Sequence, residues 1–245
     1  MPAKGGTLIL ELQNVSKSFG ALKVTDDATF AVAEGEALGI IGPNGAGKST
    51  LFNLVAGNIR PDAGAIRFAG RDVTTEPPMI RCQSGIGRTF QIPQPFEKLT
   101  VFENLLVAGA FGSKKREAEV ADRCAGILVE TGLAPRANQP AGSLGLLQRK
   151  RLELARALAT DPKILLLDET AGGLTEAECH SLVETIRGVR RRGVSIVWIE
   201  HVLHALNAVV DRLLVLNFGK VIGVGKPEAI MASREVLEIY VGIEV

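Results

Sequence analysis

The sequence predicts an α/β fold in which a mainly parallel sheet is covered by helices on both faces. Two observations carry this prediction. From residue 149 onward, continuous apolar runs, which are typical of strands buried on both faces, alternate with helical patterns. Near the start of the chain, the apolar run at 37–41 leads through a glycine-rich loop into a helical pattern. Such alternation of strands and helices is typical of open α/β sheets.

The first 70 residues predict short strands around one helix. Residues 49–56 are assigned to the helix because Leu51, Leu54 and Val55 recur on one of its faces. Residues 1–7 predict a loose tail. The strand patterns lie at residues 8–15, 28–32, 37–41 and 65–69.

The middle of the chain predicts an inserted helical subdomain at about residues 92–150. Pro93 and Pro95 open it, and the Pro/Gly-rich segment 134–142 closes it. Its helical patterns lie at residues 99–110 and 114–131. Beyond it, the predicted helices are 149–159, 176–191 and 202–210, and the predicted strands are 163–168, 194–200 and 212–217. A hairpin-like stretch and a last helix complete the chain.

Composition and charge exclude several classes of function. The chain of 245 residues has a formal net charge of +1. A nucleic-acid-binding protein usually carries a basic excess, so we expect no nucleic-acid partner. The three cysteines lack the spacing of a disulfide framework or a zinc site. The N-terminus predicts no signal peptide, and no apolar run reaches the roughly 18 residues of a membrane span. We therefore expect a soluble, cytoplasmic protein that reaches a membrane only through a partner.

The stretch GPNGAGKST fits the phosphate-binding pattern GxxxxGK[ST]. Glycines let the backbone curl so that several N–H groups face a phosphate, and the N-terminus of the following helix adds positive potential. In this pattern the lysine reaches the terminal phosphates and the next hydroxyl ligates Mg²⁺. The alternative, a glycine-rich turn with an incidental lysine, does not explain the strand–loop–helix context. The predicted nucleotide-binding residues are Gly42, Pro43, Asn44, Gly45, Ala46, Gly47, Lys48, Ser49 and Thr50, with Ser49 as a ligand of Mg²⁺.

A carboxylate pair follows the apolar strand ILLL at 164–167. The strand would deliver Asp168 and Glu169 to its carboxyl end, where ligands bind in open α/β sheets. Asp168 would help to bind the nucleotide and hold Mg²⁺ through water. Glu169 would orient or deprotonate the attacking water. A strand that ends in Asp-Glu is common on its own, and the phosphate loop some 120 residues earlier makes the pair specific.

Two further residues are candidates for catalysis. His201 ends the apolar strand in VWIEH and would hydrogen-bond the terminal phosphate, although a lone histidine is as often structural. Gln91 ends the stretch RTFQ at the start of the helical subdomain, where it would contact Mg²⁺ or water. We expect His180 and His204, by contrast, to face solvent on helices.

Along the chain the order is the phosphate loop, Gln91, the helical subdomain, the carboxylate pair and His201, and in this order the motifs resemble the ATP-binding cassette of ABC transporters over residues 8–245. The segment RLELARAL at 151–158 also matches the family, as the helix after its signature motif. The resemblance implies a P-loop fold with a RecA-like sheet, an antiparallel β subdomain and a helical insertion, together with ATP and Mg²⁺. It also implies that Phe19 stacks on adenine. Members usually have tyrosine there, and phenylalanine retains the π face.

Within this family, the chain is similar to importer ATPases for branched-chain amino acids. The similar stretches are GIGRTFQ at 85–91, LTVFEN at 99–104, WIEH at 198–201 and YVG at 240–242. This similarity implies transmembrane permease subunits and, indirectly, a solute-binding protein as partners. It also implies a peripheral position on the inner face of the cell membrane. Importers of urea, short amides and aromatic acids use close relatives, so the solute stays open.

The chain departs from the family at the signature motif, which reads LSGGQ or LSYGQ in members and SLGLLQ here, at 143–148. In the favoured register Gly145 replaces the serine that contacts the terminal phosphate across a dimer interface. Leu147 then adds bulk where members have glycine, and Ser143 would cap the helix. A register shifted by two residues would instead put Ser143 in the serine's place. Thr175 stands where many relatives have Asp or Asn.

These departures lead to a hypothesis and an alternative. The hypothesis is a heterodimer, in which this chain's phosphate loop pairs with the intact signature of a second ABC ATPase subunit. The alternative is a regulatory cassette that clamps ATP with little hydrolysis. A soluble ABC protein of translation or DNA repair would usually fuse two cassettes or carry a long coiled coil, and the sequence predicts neither.

Overall fold

The computed structural model describes residues 6–241. The strands are β1 (Leu8–Phe19), β2 (Leu22–Ala33), β3 (Ala37–Ile41), β4 (Ala63–Phe68), β5 (Arg71–Asp72), β6 (Ile86–Arg88), β7 (Ile164–Asp168), β8 (Ser195–Ile199), β9 (Arg212–Asn217) and β10 (Lys220–Gly225). The helices are α1 (Lys48–Ala56), α2 (Pro78–Ser84), α3 (Val101–Ser113), α4 (Glu117–Glu130), α5 (Leu146–Ala159), α6 (Glu176–Arg191), α7 (Leu203–Asn207), α8 (Pro227–Met231) and α9 (Arg234–Val241). Short 3-10 turns lie at Ala134–Arg136 and Ala141–Ser143.

A six-stranded sheet forms the centre of the molecule, in the order β10-β9-β3-β8-β7-β6. Its strands are parallel except for β10, which pairs antiparallel with β9. The parallel strands all end at one edge. Because β3 is flanked by β8 and β9, the loop that follows β3 emerges in the middle of that edge.

Both faces of this sheet are buried, which explains its continuous apolar runs. Successive residues of β7 point to opposite faces. Leu165 and Leu167 join one core cluster, together with residues of α3 to α7. Ile164 and Leu166 join the other, together with residues of α1 and the second sheet. The mainly parallel sheet predicted from the sequence is therefore confirmed.

The second sheet is antiparallel and has the order β2-β1-β4-β5. It lies on the α1 side of the central sheet, and the turn between β9 and β10 connects the two. There the Asp26 amide of β2 donates to the Gly219 carbonyl at 2.9 Å, and the Gly219 amide donates to the Ala46 carbonyl at 2.9 Å. The antiparallel sheet thus supports the glycine-rich loop from one side. In the segment between β6 and β7, α3 packs against α4 and α5.

Several element bounds differ from the prediction. The predicted strand 8–15 is the first part of the longer strand β1, and the predicted strand 28–32 lies in the second half of β2. The two strands stay paired as far as Phe19 and Leu22. Register shifts along the pair, one of them between Leu12 and Val15, break the alternation that the pattern depends on. Asn14, between these two residues, has a φ of 52°.

Other elements were missed or misplaced. The sequence pattern did not predict α2 or β6, which are short. Helix α5 begins at Leu146 rather than at 149, and α7 ends at Asn207 rather than at 210. Most of the predicted tail, residues 1–5, and the end of the stretch YVG, from 242 on, lie outside the described residues.

Candidate functional site

The glycine-rich loop connects the end of β3 to the first residue of α1, Lys48. Gly47 has a φ of 100°, and a Cβ there would lie 2.4 Å from the Val24 carbonyl oxygen. Only glycine therefore fits at that position without displacing β2. Within the loop, Asn44 and Gly45 are exposed, and Ser49 is exposed in the first turn of α1. The loop thus has one face packed on β2 and another open to solvent.

The Lys48 side chain folds back over the loop. It is only 6% exposed, and its ammonium donates to the carbonyls of Gly42 at 2.7 Å and Pro43 at 3.0 Å. Burial lowers the pKa of Lys48, and the nearby carboxylates of Glu169 and Asp168 oppose this shift. The ammonium therefore faces both the loop and the carboxylates at the end of β7.

Asp168 is the last residue of β7, and it is 5% exposed. The Arg88 guanidinium, at the end of β6, donates to Asp168 Oδ2 at 3.2 Å and to Asn53 Oδ1 of α1 at 2.6 Å. The same guanidinium lies 5.8 Å from the ring centre of Phe52 and 5.0 Å from that of Phe90. Burial raises the pKa of Asp168, and the positive charge of Arg88 opposes this shift.

Glu169 follows at the strand end, and two predicted residues contact its carboxylate. The Gln91 amide donates to Oε2, and His201 Nε2 donates to Oε1 at 2.8 Å. Glu169 itself has a φ of 46°, which is rare for a residue with a side chain. Residues from three separate segments of the chain therefore meet at one carboxylate.

The contacts thus connect Lys48, Asp168, Glu169, His201 and Gln91 at the carboxyl edge of the central sheet. This edge is where ligands bind in open α/β sheets. The Ser49 and Thr50 side chains lie in the first turn of α1, beside Lys48.

Phe19 lies outside this hydrogen-bonded group. It is half-exposed at the end of β1, where it pairs with Leu22 of β2, and its ring centre lies 5.7 Å from the Lys17 ammonium.

The signature segment differs from the expectation in one respect. Ser143 does not cap α5. Its hydroxyl donates to the Pro140 carbonyl at 2.8 Å, inside the preceding 3-10 turn. Gly145 occupies the N-cap position, in extended conformation and without a side-chain hydrogen bond. The expected serine cap was wrong because the turn 141–143 uses the hydroxyl first. A helix start at Gly145 favours the unshifted register.

The two leucines of this segment are not equivalent. Leu147 is half-buried and packs on the core cluster that contains α5. Leu146 is 47% exposed, and its side chain lies 3.3 Å from where a Cβ of Gly173 would stand. The exposed bulk at the helix start therefore belongs mainly to Leu146 rather than to Leu147, where the sequence predicted it.

The remaining predicted positions have ordinary structural contacts. Thr175 is the N-cap of α6, and its hydroxyl and the Glu178 carboxylate form a capping box. His180 and His204 are exposed, as expected.

Sequence reasoning missed three residues of the site. Arg88 lies in the stretch RTFQ, but nothing in the pattern indicates that it pairs with Asp168. Lys150 lies on the inward face of α5, and its ammonium donates to the Glu169 carbonyl at 3.1 Å. Glu200 precedes His201, and its buried carboxylate accepts from the amides of Ala171 and His201. A charged residue inside an otherwise apolar helical face was the signal for Lys150.

Comparison with known proteins agrees with this geometry. The ABC transporter family model matches residues 25–172. A probable branched-chain amino acid transport ATP-binding protein of Archaeoglobus fulgidus is 38% identical over 247 residues, which cover 96% of each chain. The lipopolysaccharide export system ATP-binding protein of Haemophilus influenzae is 32% identical, over 96% of this chain and 97% of the relative. The crystal structure of the ADP conformation of an ATP-binding cassette superposes with a TM-score of 0.88 at 32% identity, over 96% of this chain and 99% of that one.

Proposed function

This chain belongs to the ABC transporter family and is an ABC-type ATPase, and from that premise we propose that it powers an importer of branched-chain amino acids or related small solutes. The observation that carries the proposal is the convergence of Lys48, Glu169, His201 and Gln91 at one edge of the central sheet. The direction of transport rests on the higher identity to the amino-acid relative, 38%, than to the export relative, 32%.

We assign ATP to the glycine-rich loop, residues 42–50. The amides of the loop and of the first turn of α1 would bind the phosphates. Lys48 is held by carbonyls of the loop itself and would turn to the terminal phosphates when they arrive. Phe19 would stack on the adenine. Burial of the Lys48 ammonium strengthens its attraction for phosphate, since little water screens the charge.

The donor set at the strand end fits Mg²⁺. The Ser49 hydroxyl, the Asp168 carboxylate and the Gln91 side-chain carbonyl are oxygen ligands, which Mg²⁺ prefers. Within residues 6–241 no group of three or more His, Cys, Asp or Glu could hold a metal without the nucleotide. In nucleotide-binding sites Mg²⁺ is usually bound by one or two side chains together with phosphate oxygens. When bound, Mg²⁺ would neutralise charge on the phosphates.

Glu169 is the proposed general base. The attacking water would give a proton to its carboxylate while the water oxygen forms a bond to the terminal phosphorus, and ADP would leave. Before ATP binds, the Gln91 amide and the His201 ring hold the two carboxylate oxygens, so both keep Glu169 at the edge of the sheet where the phosphates would arrive. His201 would pass from Glu169 to the terminal phosphate when ATP is bound.

A permease contact is proposed on the surface beside Gln91. Phe90, Ile92 and Phe96, close to Gln91 in the chain, are all at least 48% exposed, and such a group of exposed apolar side chains is typical of an interaction site. A cavity of about 230 Å³, lined by Phe90, Arg156 and Ala108 among others, opens beside them. Within residues 6–241 no helix is long and apolar enough to cross a membrane. Attachment to the inner face of the cell membrane would then depend on the permease, which in turn receives solute from a binding protein.

A second cassette is the other proposed partner. Gly145 offers no hydroxyl at the N-terminus of α5, and Ser143 is engaged with Pro140. This chain would therefore contribute a complete phosphate-binding half and an incomplete signature half. A partner with an intact signature would complete the site that contains Lys48.

ATP hydrolysis is the first test. The purified chain is assayed alone and mixed with a second cassette encoded at the same locus, with Glu169→Gln as the control. We expect low turnover alone, higher turnover in the mixture, and loss of turnover with Glu169→Gln. Turnover by the chain alone that matched the mixture would refute the heterodimer. Tight ATP binding without turnover in the mixture would instead support the regulatory cassette.

The solute is tested in cells. A strain that lacks this chain is complemented with the wild type or with Glu169→Gln, and uptake of labelled leucine is measured. Restoration by the wild type only is the expected result. Uptake that is equal in all strains would refute branched-chain amino acids as the solute and leave the ATPase proposal to the first test.

A further inference from the structure

We propose that Lys150 is a positioning residue for Glu169, because it holds the Glu169 backbone in the conformation that directs the carboxylate to Gln91 and His201. The inference rests on the proposed hydrolysis with Glu169 as general base. Lys150 acts through the peptide group of Glu169, from the separate helix α5.

The backbone of Glu169 is fixed on both sides. Its amide donates to the Ile199 carbonyl of β8 at 2.8 Å. Its carbonyl accepts from the Lys150 ammonium at 3.1 Å, and Lys150 is only 6% exposed. With a φ of 46°, Glu169 has a left-handed conformation that costs about 1–2 kcal/mol for a residue with a Cβ. Such a conformation persists only where surrounding contacts hold it.

A second buried charge supports this arrangement. Glu200, 1% exposed, accepts hydrogen bonds from the Ala171 amide at 2.8 Å and the His201 amide at 2.9 Å. Burial lowers the pKa of Lys150, and the Glu200 and Glu169 carboxylates oppose this shift. The ammonium thus contacts the backbone of Glu169 after β7, and the Glu200 carboxylate contacts the backbone of His201 after β8.

The position of this carboxylate matters for the rate of reaction. A catalytic group displaced by about 1 Å can reduce a rate by about 100-fold. Without the Lys150 hydrogen bond, the Glu169 carbonyl is no longer held, and the backbone of Glu169 can relax towards the negative φ that residues with a side chain prefer. The carboxylate would then lose its contacts with Gln91 and His201 in a fraction of the molecules. Lys150 therefore affects turnover rather than the affinity for ATP.

The test uses the complex of this chain with its second cassette. Lys150→Met fills a similar volume without a donor, and Lys150→Gln keeps an uncharged donor. We expect Lys150→Met to lower kcat at least about tenfold while KM for ATP changes by no more than about twofold. Lys150→Gln should recover part of the loss. Lys163→Met, a change at an exposed lysine beside the other end of β7, is the matched control and should leave kcat unchanged.

A double-mutant cycle separates positioning from general damage. If Lys150 acts through Glu169, then Lys150→Met in a Glu169→Gln background lowers the slow residual hydrolysis, measured in a single turnover with enzyme in excess over ATP, by no more than about twofold. A loss as large as in the wild-type background would overturn the proposal. So would a wild-type kcat in Lys150→Met alone.

Hydrogen exchange measures the positioning role independently of hydrolysis. The amides of Glu169 and Ala171 should exchange at least about tenfold faster in Lys150→Met than in the wild type, while amides of α6 keep their rates. Unchanged exchange at both amides would refute the positioning role. If the wild-type complex showed no hydrolysis at all, the proposed function would fail, and the exchange rates would still decide this inference.

Discussion

Replacement of Arg81 by methionine tests how the chain stabilises the end of α1, the helix that begins at Lys48. Arg81 is 1% exposed. Its guanidinium donates to the carbonyls of Leu54 at 2.7 Å and Val55 at 2.9 Å, in the last turn of α1. It also donates to the carbonyls of Thr74 and Glu76, both at 3.0 Å. Helix ends leave such carbonyls without intrahelical partners, so Arg81 supplies what the helix lacks.

Two opposing effects decide how much the free energy of unfolding falls in Arg81→Met. A hydrogen bond from a charged donor contributes about 1.5–3 kcal/mol net, and four are removed. Against this, methionine avoids the cost of burying the guanidinium, which is several kcal/mol. Burial lowers the pKa of Arg81, and the carboxylates of Glu76 and Asp72 oppose this shift. The bonds to Leu54 and Val55 are buried, and without Arg81 the Leu54 carbonyl keeps the Gly57 amide at 3.3 Å as a donor. Because buried carbonyls lose donors, we expect the free energy of unfolding to fall by about 3 kcal/mol.

Urea unfolding followed by circular dichroism measures the change. With a slope of about 3 kcal/mol per molar urea, the midpoint should fall by about 1 M. Arg60→Met, at an exposed arginine soon after α1, is the matched control and should stay within about 0.5 kcal/mol of the wild type. If Arg81→Met were as stable as the control, the cost of burying the guanidinium would equal the stabilisation from its hydrogen bonds. That result would refute the expected net contribution of Arg81.

Three further predictions concern the loop, a helix cap and the signature segment. Gly47→Ala should abolish nucleotide binding measured by calorimetry, whereas Gly45→Ala, at a similar φ but with no atom within 4 Å of its new Cβ, should reduce it less. The Thr175 amide and hydroxyl hold the pKa of Glu178 below its usual value. The difference in unfolding free energy between the wild type and Glu178→Ala should therefore be present at pH 7 and vanish as the pH falls through that lowered pKa. Gly145→Ser should raise thermal stability slightly, by a few tenths of a kcal/mol as an N-cap, and raise hydrolysis by the chain alone.

The sequence predicted best where the information is local. The run at 37–41 matches β3 at both ends, and α1 begins one residue before the predicted start. The apolar run, the glycines and the helical face are all consecutive there. Asp168 and Glu169 were located equally well, since a strand that is buried on both faces shows as an unbroken apolar stretch.

What the sequence could not predict depends on contacts between distant segments. Arg88 pairs with a carboxylate 80 residues away, and Lys150 with a carbonyl 19 residues away on another element. Short elements such as α2 carry too few residues for a periodic pattern. The failed serine cap has a different, local origin. A hydroxyl near a helix start has several acceptors in reach, and only the fold decided that Ser143 bonds to Pro140.

The altered signature positions differ in how easily they could be reversed. Gly145 has an extended backbone at the N-cap, so a serine hydroxyl fits there without strain. Leu146 is half-exposed, so its removal would lose little buried area. Leu147 packs on the core. Glycine in its place would leave a cavity and remove a contact that holds the first turn of α5 against the core. A full return to the family motif would therefore destabilise the helix that carries Lys150. Gly145→Ser alone tests the missing hydroxyl without that cost, and a gain of turnover in this variant would attribute the weak half-site to one oxygen atom.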